Sequence, residues 1–231
     1  HLLSRRQRQM CIRDSFYIME VKMSKLFFFD IDGTLIDCNK GLYGISTINR
    51  NSFDQLKQKG HDVFLATGRC KCFITEGVMD YPFSGYVTCN GGYVEYKGDA
   101  IYKAVVPAKA IEETIKLSKE HHFSFYFESS DYIYVLDKND PQHKEFARVW
   151  GMKDETIIDD FDPQEIETYI GMIVVNSKED IPLLVETLSP YFDIQRHQTG
   201  CSFDLTLKGV SKAVGIQKLV EALHKLSLIH I

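Results

Sequence analysis

Two carboxylates stand two positions apart, directly after a short and wholly apolar segment: Asp30 and Asp32 follow LFFF at residues 26–29. A carboxylate can attack phosphorus to give an acyl phosphate, and a second carboxylate can donate a proton to the leaving oxygen and later accept one. One of the two could also bind a metal ion. The alternative is an Asx turn without chemistry, in which Gly33 takes the left-handed conformation. The apolar run before the carboxylates favours phosphoryl transfer.

Two further segments carry groups that are suited to binding an anion. Thr67-Gly68 follows a second apolar run, and a hydroxyl with free backbone N–H groups at the start of the next helix would bind phosphate. An ordinary helix N-cap is the alternative, because Thr favours that position too. Lys212 stands at the start of the last predicted helix, where a cation opposes the helix dipole and therefore requires a nearby anion. The alternative for Lys212 is a surface lysine, which is our interpretation of Lys208.

The predicted elements place Asp30 at one edge of a sheet. Residues 26–29 are apolar without alternation, which predicts a strand buried on both faces. A helix is predicted over about 46–59, ended by Gly60, and a second strand follows at 62–66. Strand, helix and strand in this order form a right-handed parallel unit, so the predicted fold class is α/β. Ligands bind such sheets beyond the carboxyl ends of the strands, where Asp30 stands.

A second module is predicted in the middle of the chain. Residues 93–104 contain two alternating runs around Gly98-Asp99, which predict a β-hairpin. From Pro107 the pattern changes to a helix, a hairpin of aromatic strands, and further helices and strands up to residue 207. This pattern predicts an α+β module inserted into the α/β layer.

Four segments, in this order and at the expected separations, resemble the motifs of the Cof-type phosphatases of the haloacid dehalogenase superfamily; they are FFFDIDGTLID, FLATGR, CNGG and KGVSK. The resemblance covers about residues 23–225. It implies a Rossmann-like parallel-sheet core with an inserted α+β cap. It also implies that Asp30 is the nucleophile and a magnesium ligand, and that Asp32 is the general acid/base, whose backbone carbonyl binds the Mg²⁺ as well.

The resemblance implies further contacts with the substrate. It places Thr67, Gly68 and Lys212 against the transferred phosphoryl group. The CNGG segment corresponds to the family's NGA turn, with glycine where the family usually has alanine, and a tight turn would explain it without any ligand. Arg69 could pair with phosphate or with acidic residues of the insert, and its role stays open. The residues that remain candidates for direct substrate contact are Asn90, Gly91 and Arg69.

The implied function is magnesium-dependent hydrolysis of a small phosphorylated metabolite, such as a sugar phosphate, through an aspartyl phosphate. A phosphotransferase or phosphomutase on the same scaffold is the second interpretation, because no residue decides whether water or a sugar hydroxyl accepts the phosphoryl group. The third is a phosphate-binding module without catalysis. The family's fourth motif, GDxxND, which completes the magnesium site, does not occur in the sequence. We interpret this as truncation, and we expect the polypeptide as printed to be inactive.

Both ends of the chain resemble sequencing adapters. RRQRQMCIRDS at 5–15 matches a frame translation of a transposase adapter, and LSLIHI at 226–231 matches its reverse complement. A basic N-terminal arm and an apolar helix end are the alternatives. The predicted organisation is an adapter-like segment at 1–15, the first part of the core at 16–106, the cap at 107–200, the truncated second part of the core at 201–225, and an adapter-like segment at 226–231.

Charge and cysteine content limit the partners and the compartment. Removal of residues 1–15 takes away four Arg and one Asp, which lowers the net charge from −5 to −8. An acidic chain lacks the basic face that nucleic acid or an anionic membrane requires, so neither is an expected partner. The cysteines outside the adapter-like ends are odd in number and lack the spacing of a zinc site or a redox pair. We therefore predict reduced thiols in a cytoplasmic protein.

We predict that the neighbouring genomic sequence contains a start codon at Met23 or Met19 and a GDxxND-like motif within roughly forty residues after Lys225, the length of an ordinary helix, loop and strand connection. Recovery of the complete gene would test this. A genuine stop codon after Ile231 would contradict it.

Overall fold

The computed structural model describes residues 24–37, 40–150, 152–197, 200–223 and 228–230 of the chain. The adapter-like segment predicted at 1–15, the predicted start residues and Cys38 lie outside these ranges. No helix within them is long and apolar enough to cross a membrane.

The described part of the chain contains six α-helices and twelve strands, besides short 3-10 helical turns. The helices are α1 (Thr47–Gln58), α2 (Glu76–Met79), α3 (Ala108–His121), α4 (Pro141–Trp150), α5 (Ile181–Leu188) and α6 (Lys212–Leu223). The strands are β1 (Leu26–Phe29), β2 (Asp62–Ala66), β3 (Gly85–Thr88), β4 (Tyr93–Tyr96), β5 (Asp99–Lys103), β6 (Ser124–Glu128), β7 (Ile133–Tyr134), β8 (Ile157–Ile158), β9 (Ile170–Val174), β10 (Phe192–Arg196), β11 (Ser202–Leu207) and β12 (Leu228–His230).

The first sheet has the order β12-β1-β2-β3-β4-β5. Its first four strands are parallel, and β4 and β5 add the predicted hairpin in antiparallel orientation. The strand, helix and strand predicted at the start of the chain are β1, α1 and β2. The α/β prediction is therefore confirmed, with a Rossmann-like parallel layer. The backbone of β12, within the adapter-like segment predicted at 226–231, pairs with β1.

The apolar run of β1 is explained by helices on both faces of this sheet. Phe28 packs with Ile216 and Leu219 of α6, whereas Phe29 packs with Phe53 of α1, their ring centroids 4.6 Å apart. Successive residues of a strand point to opposite faces, so two covered faces require consecutive apolar residues. Each such side chain contributes about 1.5–3 kcal/mol through burial. This packing fixes the end of β1, and therefore the position of Asp30.

The second sheet has the order β10-β11-β9-β6-β7-β8 and is antiparallel except for β7 and β8. Helices α3 and α5 cover one face, around a core that includes Phe125, Phe127 and Leu205. This arrangement corresponds to the predicted α+β insert.

The predicted boundary between residues 200 and 201 is wrong. Strand β11, which was assigned to the second part of the core, pairs with both β10 and β9 inside the second sheet. Phe203 and Leu205 of β11 belong to the core beneath that sheet, so the strand is held there by burial as well as by backbone hydrogen bonds. The chain returns to the first sheet only after Leu207, through a turn at Gly209 that leads into α6.

Candidate active site

Asp30 directly follows β1, and both of its carboxylate oxygens have donors. Oδ1 accepts a hydrogen bond from the backbone N–H of Ile31 at 2.8 Å, and Oδ2 lies 2.6 Å from Nζ of Lys212. The side chains of Asp30 and Lys212 are each about one-third exposed, so the pair is reachable from outside. The first strand and the last helix of the described core thus meet at one ion pair.

Lys212 begins α6, as predicted from the sequence. A cation at a helix N-terminus is unfavourable unless an anion lies nearby, and Asp30 is that anion. Lys208, four residues earlier, is exposed in the turn before the helix, in agreement with its interpretation as a surface residue. The catalytic and phosphate-binding roles of Asp30 and Lys212 stay predictions.

The segment after Asp30 is a tight turn. The carbonyl of Ile31 accepts hydrogen bonds from the N–H groups of Thr34, Leu35 and Ile36, and Gly33 has φ +75°. The left-handed glycine that the alternative interpretation required is therefore present. The turn and the proposed chemistry are compatible, because the turn is what presents the side chain of Asp32 outward.

Arg69 contacts Asp32 through two hydrogen bonds. Its Nε lies 2.8 Å from Oδ2 and its Nη2 lies 2.6 Å from Oδ1, while Nη1 donates to the backbone carbonyl of Phe73 at 3.1 Å. This bidentate geometry is the strongest arrangement for a guanidinium and a carboxylate. From the sequence, two partners were considered for Arg69: phosphate and the acidic residues of the insert. In the structure its partner is instead the carboxylate of Asp32.

Thr67 does not open a helix, contrary to the prediction. The next helical turn begins at Lys71. The reason is that the intervening backbone pairs with the segment after β3: the carbonyl of Thr67 accepts from Asn90 N–H, and that of Arg69 accepts from Cys89 N–H. The hydroxyl of Thr67 instead accepts a hydrogen bond from the N–H of Arg69 at 3.2 Å.

The CNGG segment is a close contact between the first sheet and α6. Cys89 and Asn90 have φ values of 53° and 52°, and Gly91 has 92°. A Cβ at Gly91 would lie 2.0 Å from the carbonyl oxygen of Ser211, and one at Gly215 would lie 2.8 Å from the Cα of Gly91. A side chain at either glycine would therefore displace the first turn of α6, which carries Lys212.

Asn90 joins this turn to the second sheet. Its Nδ2 lies 3.3 Å from the hydroxyl of Thr206 on β11, and its Oδ1 would lie 2.9 Å from a Cβ at position 68, so Gly68 is required for the close approach. The structure thus brings Asn90 and Gly91 close to Lys212. Direct contact of either residue with a substrate stays a prediction.

A cavity of about 450 Å³ opens beside Lys212. Asn90, Ser211 and Lys212 form its wall on the side of the first sheet, and residues of β10 and β11 form the opposite wall. Its volume lies in the range of about 300–1,000 Å³ that is usual for small-molecule sites. Lys212, which lines this cavity, is the residue that pairs with Asp30.

Sequence reasoning missed Glu128, whose carboxylate connects the second sheet to the segment after β2. Burial, together with the charge of Asp204, raises the pKa of Glu128 to about 7, although hydrogen bonds from Cys70 and the charge of Arg69 favour its ionised form. The alternation of FSFYFE at residues 123–128 indicates that Glu128 shares a face with Tyr126. This alternation could have predicted on which face of the strand Glu128 lies, but not that Cys70 and Arg69 are its neighbours.

A model of the haloacid dehalogenase-like hydrolase family matches residues 27–227. The chain belongs to this family, and the predicted superfamily is confirmed. The chain is 29% identical over 202 residues to "Putative phosphatase YkrA" of Bacillus subtilis (strain 168). This alignment covers 87% of this chain and 75% of the relative. The chain is 31% identical over 208 residues to a "Putative bifunctional phosphatase/peptidyl-prolyl cis-trans isomerase" of Streptococcus pyogenes serotype M6, over 88% of this chain and 42% of that longer protein.

Among solved structures, a sugar phosphatase of subclass IIB of the superfamily superposes with a TM-score of 0.74 and 22% identity. The match covers 90% of this chain and 80% of that protein. At this level of identity the likeness shows the fold: a parallel-sheet core with an inserted second module.

We predict that Lys212→Met, in protein expressed from the complete gene, lowers kcat for p-nitrophenyl phosphate by about 10² to 10³, the usual cost of removing one group that stabilises transition-state charge. Lys208→Met is the matched control, because it removes the same charge four residues away, and it should leave kcat unchanged. Steady-state kinetics of both variants would measure this. Equal effects of the two substitutions would contradict the assignment.

We predict that Glu128→Gln raises the melting temperature at pH 8 and has little effect at pH 4. A carboxyl whose pKa is about 7 when folded, against about 4.3 in unfolded chains, binds its proton more tightly in the folded state. Its stabilising contribution is therefore complete below about pH 4 and is lost as the pH rises to about 7. Thermal unfolding across this pH range measures the effect. Exposed Glu120→Gln is the control, and an identical pH profile for both variants would disprove the prediction.

Proposed function

We propose that the protein is a phosphomonoester hydrolase that cleaves a small phosphorylated metabolite, such as a sugar phosphate, through an aspartyl phosphate on Asp30. The observation that carries the proposal is the 2.6 Å pair of Asp30 and Lys212 at the carboxyl end of β1, with Asp32 two residues away and the cavity beside it. The family match and the two relatives whose names describe phosphatases support it.

The nucleophile in this proposal is a carboxylate oxygen of Asp30. It attacks phosphorus and the bond from phosphorus to the leaving oxygen breaks, while Asp32, in its protonated form and turned away from Arg69, gives its proton to that oxygen. Water then attacks the phosphoryl group, Asp32 accepts its proton, and the carboxylate of Asp30 is released with inorganic phosphate. Lys212 holds the nucleophile and counters the negative charge of the phosphoryl oxygens.

Thr67 and Gly68 complete the proposed phosphate site. The hydroxyl of Thr67 accepts from Arg69 N–H and keeps its own hydrogen, which it can donate to a phosphoryl oxygen. Gly68 brings the backbone close to Asn90, so that this side of the site is formed by main chain. Support for these roles comes from position alone.

The donor set suits Mg²⁺ in part. No cluster of three His, Cys, Asp or Glu side chains that could hold a metal lies within the described ranges. Mg²⁺, however, is commonly bound by one or two carboxylates together with substrate phosphate and several waters. The carboxylate of Asp30 and the backbone carbonyl of Asp32 are oxygen donors of that kind. A bound Mg²⁺ would add positive charge next to the phosphoryl group.

We also propose a cytoplasmic enzyme without a nucleic-acid or membrane partner. Cys70, Cys72, Cys89 and Cys201 are all free thiols, although the sulfur atoms of Cys70 and Cys72 are only 3.3 Å apart. Thiols are kept reduced in the cytosol, where disulfides are rare. The acidic balance of the chain supports the second part of the proposal.

We predict different losses for the two aspartates. Asp30→Asn should abolish the phosphoenzyme and essentially all turnover, because it removes the nucleophile. Asp32→Asn should lower the rate by about 10² to 10⁴, the usual contribution of a positioned acid/base. Rapid quench with a ³²P-labelled phosphomonoester, in protein expressed from the complete gene, would measure both. Label that remains covalently bound to the Asp30→Asn protein would mean that another residue is the nucleophile.

A further inference from the structure

One face of the second sheet carries a polar set of side chains at its β10 and β11 end. The register pairs Asp193 with Thr206 and Gln195 with Asp204. Directly opposed residues of antiparallel strands share a face, as do alternate residues of one strand, so all four side chains lie on the same face. The opposite face of these strands packs on α3 and α5 through apolar residues.

These four residues line the same cavity as Lys212. The only basic side chain that lines the described cavity is Lys212, and its ammonium group is already paired with Asp30 at 2.6 Å. Asp193 and Asp204 therefore bring negative charge to the part of the cavity where the leaving group of a substrate would lie.

The two carboxylates differ in how far their charge is countered. His197 Nε2 lies 2.9 Å from Asp204 Oδ1, and this hydrogen bond raises the pKa of His197. Asp204 is therefore partly neutralised when His197 is protonated. Asp193 is exposed and forms no salt bridge within the described part of the chain. It is the carboxylate with the most charge to offer a ligand.

Carboxylates accept hydrogen bonds and donate none when ionised. A leaving group with hydroxyl groups satisfies them, and one with an ammonium group gains charge attraction as well. A second phosphate or a carboxylate would instead meet the negative charge of Asp193 and Asp204, and the one basic side chain that lines the described cavity, Lys212, is already paired with Asp30. Gln195, Asn90 and Ser211 supply neutral donors and acceptors to the remaining hydroxyls.

We infer that the cavity selects phosphomonoesters of amino sugars or similar amino polyols, with Asp193 as the residue that recognises the ammonium group, and discriminates against leaving groups with a second anion. This rests on the proposed function and specifies its substrate class. Asp193 contributes to specificity and does not touch the reacting atoms.

The test compares kcat/KM for four kinds of phosphomonoester in protein expressed from the complete gene. Glucosamine 6-phosphate and glucosamine 1-phosphate present the amine at two distances from the phosphate, glucose 6-phosphate lacks it, and 6-phosphogluconate adds an anion. We expect the better amino sugar to exceed glucose 6-phosphate by about tenfold, as for a hydrogen bond between charged groups, and 6-phosphogluconate to be the poorest substrate.

Asp193→Asn should remove most of the preference for the amino sugar and improve the use of 6-phosphogluconate. Asp193→Glu should keep the preference, and Asp160→Asn, an exposed aspartate outside the cavity, is the matched control and should not change it. Equal use of 6-phosphogluconate and the amino sugars by the wild type, or an unchanged preference in Asp193→Asn, would overturn the inference.

Hydrolysis of p-nitrophenyl phosphate separates the two levels of the proposal, because its flat aromatic leaving group offers neither an amine nor hydroxyls to Asp193. If the wild type cleaves it but shows no preference for amino sugars, the substrate class is wrong and the phosphatase stands. If the wild type cleaves neither, the proposed function fails and the inference fails with it.

Discussion

The ion pair between Asp30 and Lys212 is the contact on which the rest of the site depends. It joins residues 182 positions apart in the sequence, at the end of the first described strand and the start of α6. Neither side chain is held by this contact alone. Consecutive buried phenylalanines fix the end of β1, and the glycine contact between the CNGG turn and α6 fixes the first turn of the helix. Packing on both faces of the parallel sheet thus sets the distance between the carboxylate of Asp30 and the ammonium group of Lys212.

The second sheet is attached to this centre by backbone as well as side-chain contacts. The N–H of Val106 donates to the carbonyl of Thr168, and the N–H of Cys72 donates to the carbonyl of Ser130. Lys153 and Glu76 form an exposed ion pair between the two parts, which adds little because solvent screens it. The contact at Cys72 lies three residues from Arg69, the partner of Asp32, and so ties the segment after β2 to the second sheet.

The elements that could be predicted from the sequence are those whose signals are local. A run of apolar residues, a glycine after a helix and the spacing of Asp30 and Asp32 each depend on neighbouring positions, and they led to the right strand, helix end and turn. The partner of Arg69 and the acidic face around Asp193 depend on which segments meet across the fold, and no local pattern reports that. Thr67 was misplaced because its backbone pairs with a turn more than twenty residues later, and β11 was misassigned because an alternating strand fits either sheet equally well.

Two neighbouring carboxylates at one strand end repel each other when both are ionised. The fold offsets this by giving each its own cation, Lys212 from α6 and Arg69 from the segment after β2. Within the pair of Arg69 and Asp32, the arginine is more firmly fixed than the aspartate. The side chain of Arg69 is 9% exposed and also bonded to the carbonyl of Phe73, whereas that of Asp32 is 54% exposed. In the mechanism proposed above, Asp32 would therefore move between Arg69 and the leaving oxygen by rotation of its own side chain, because the guanidinium is held by its burial and by the carbonyl of Phe73.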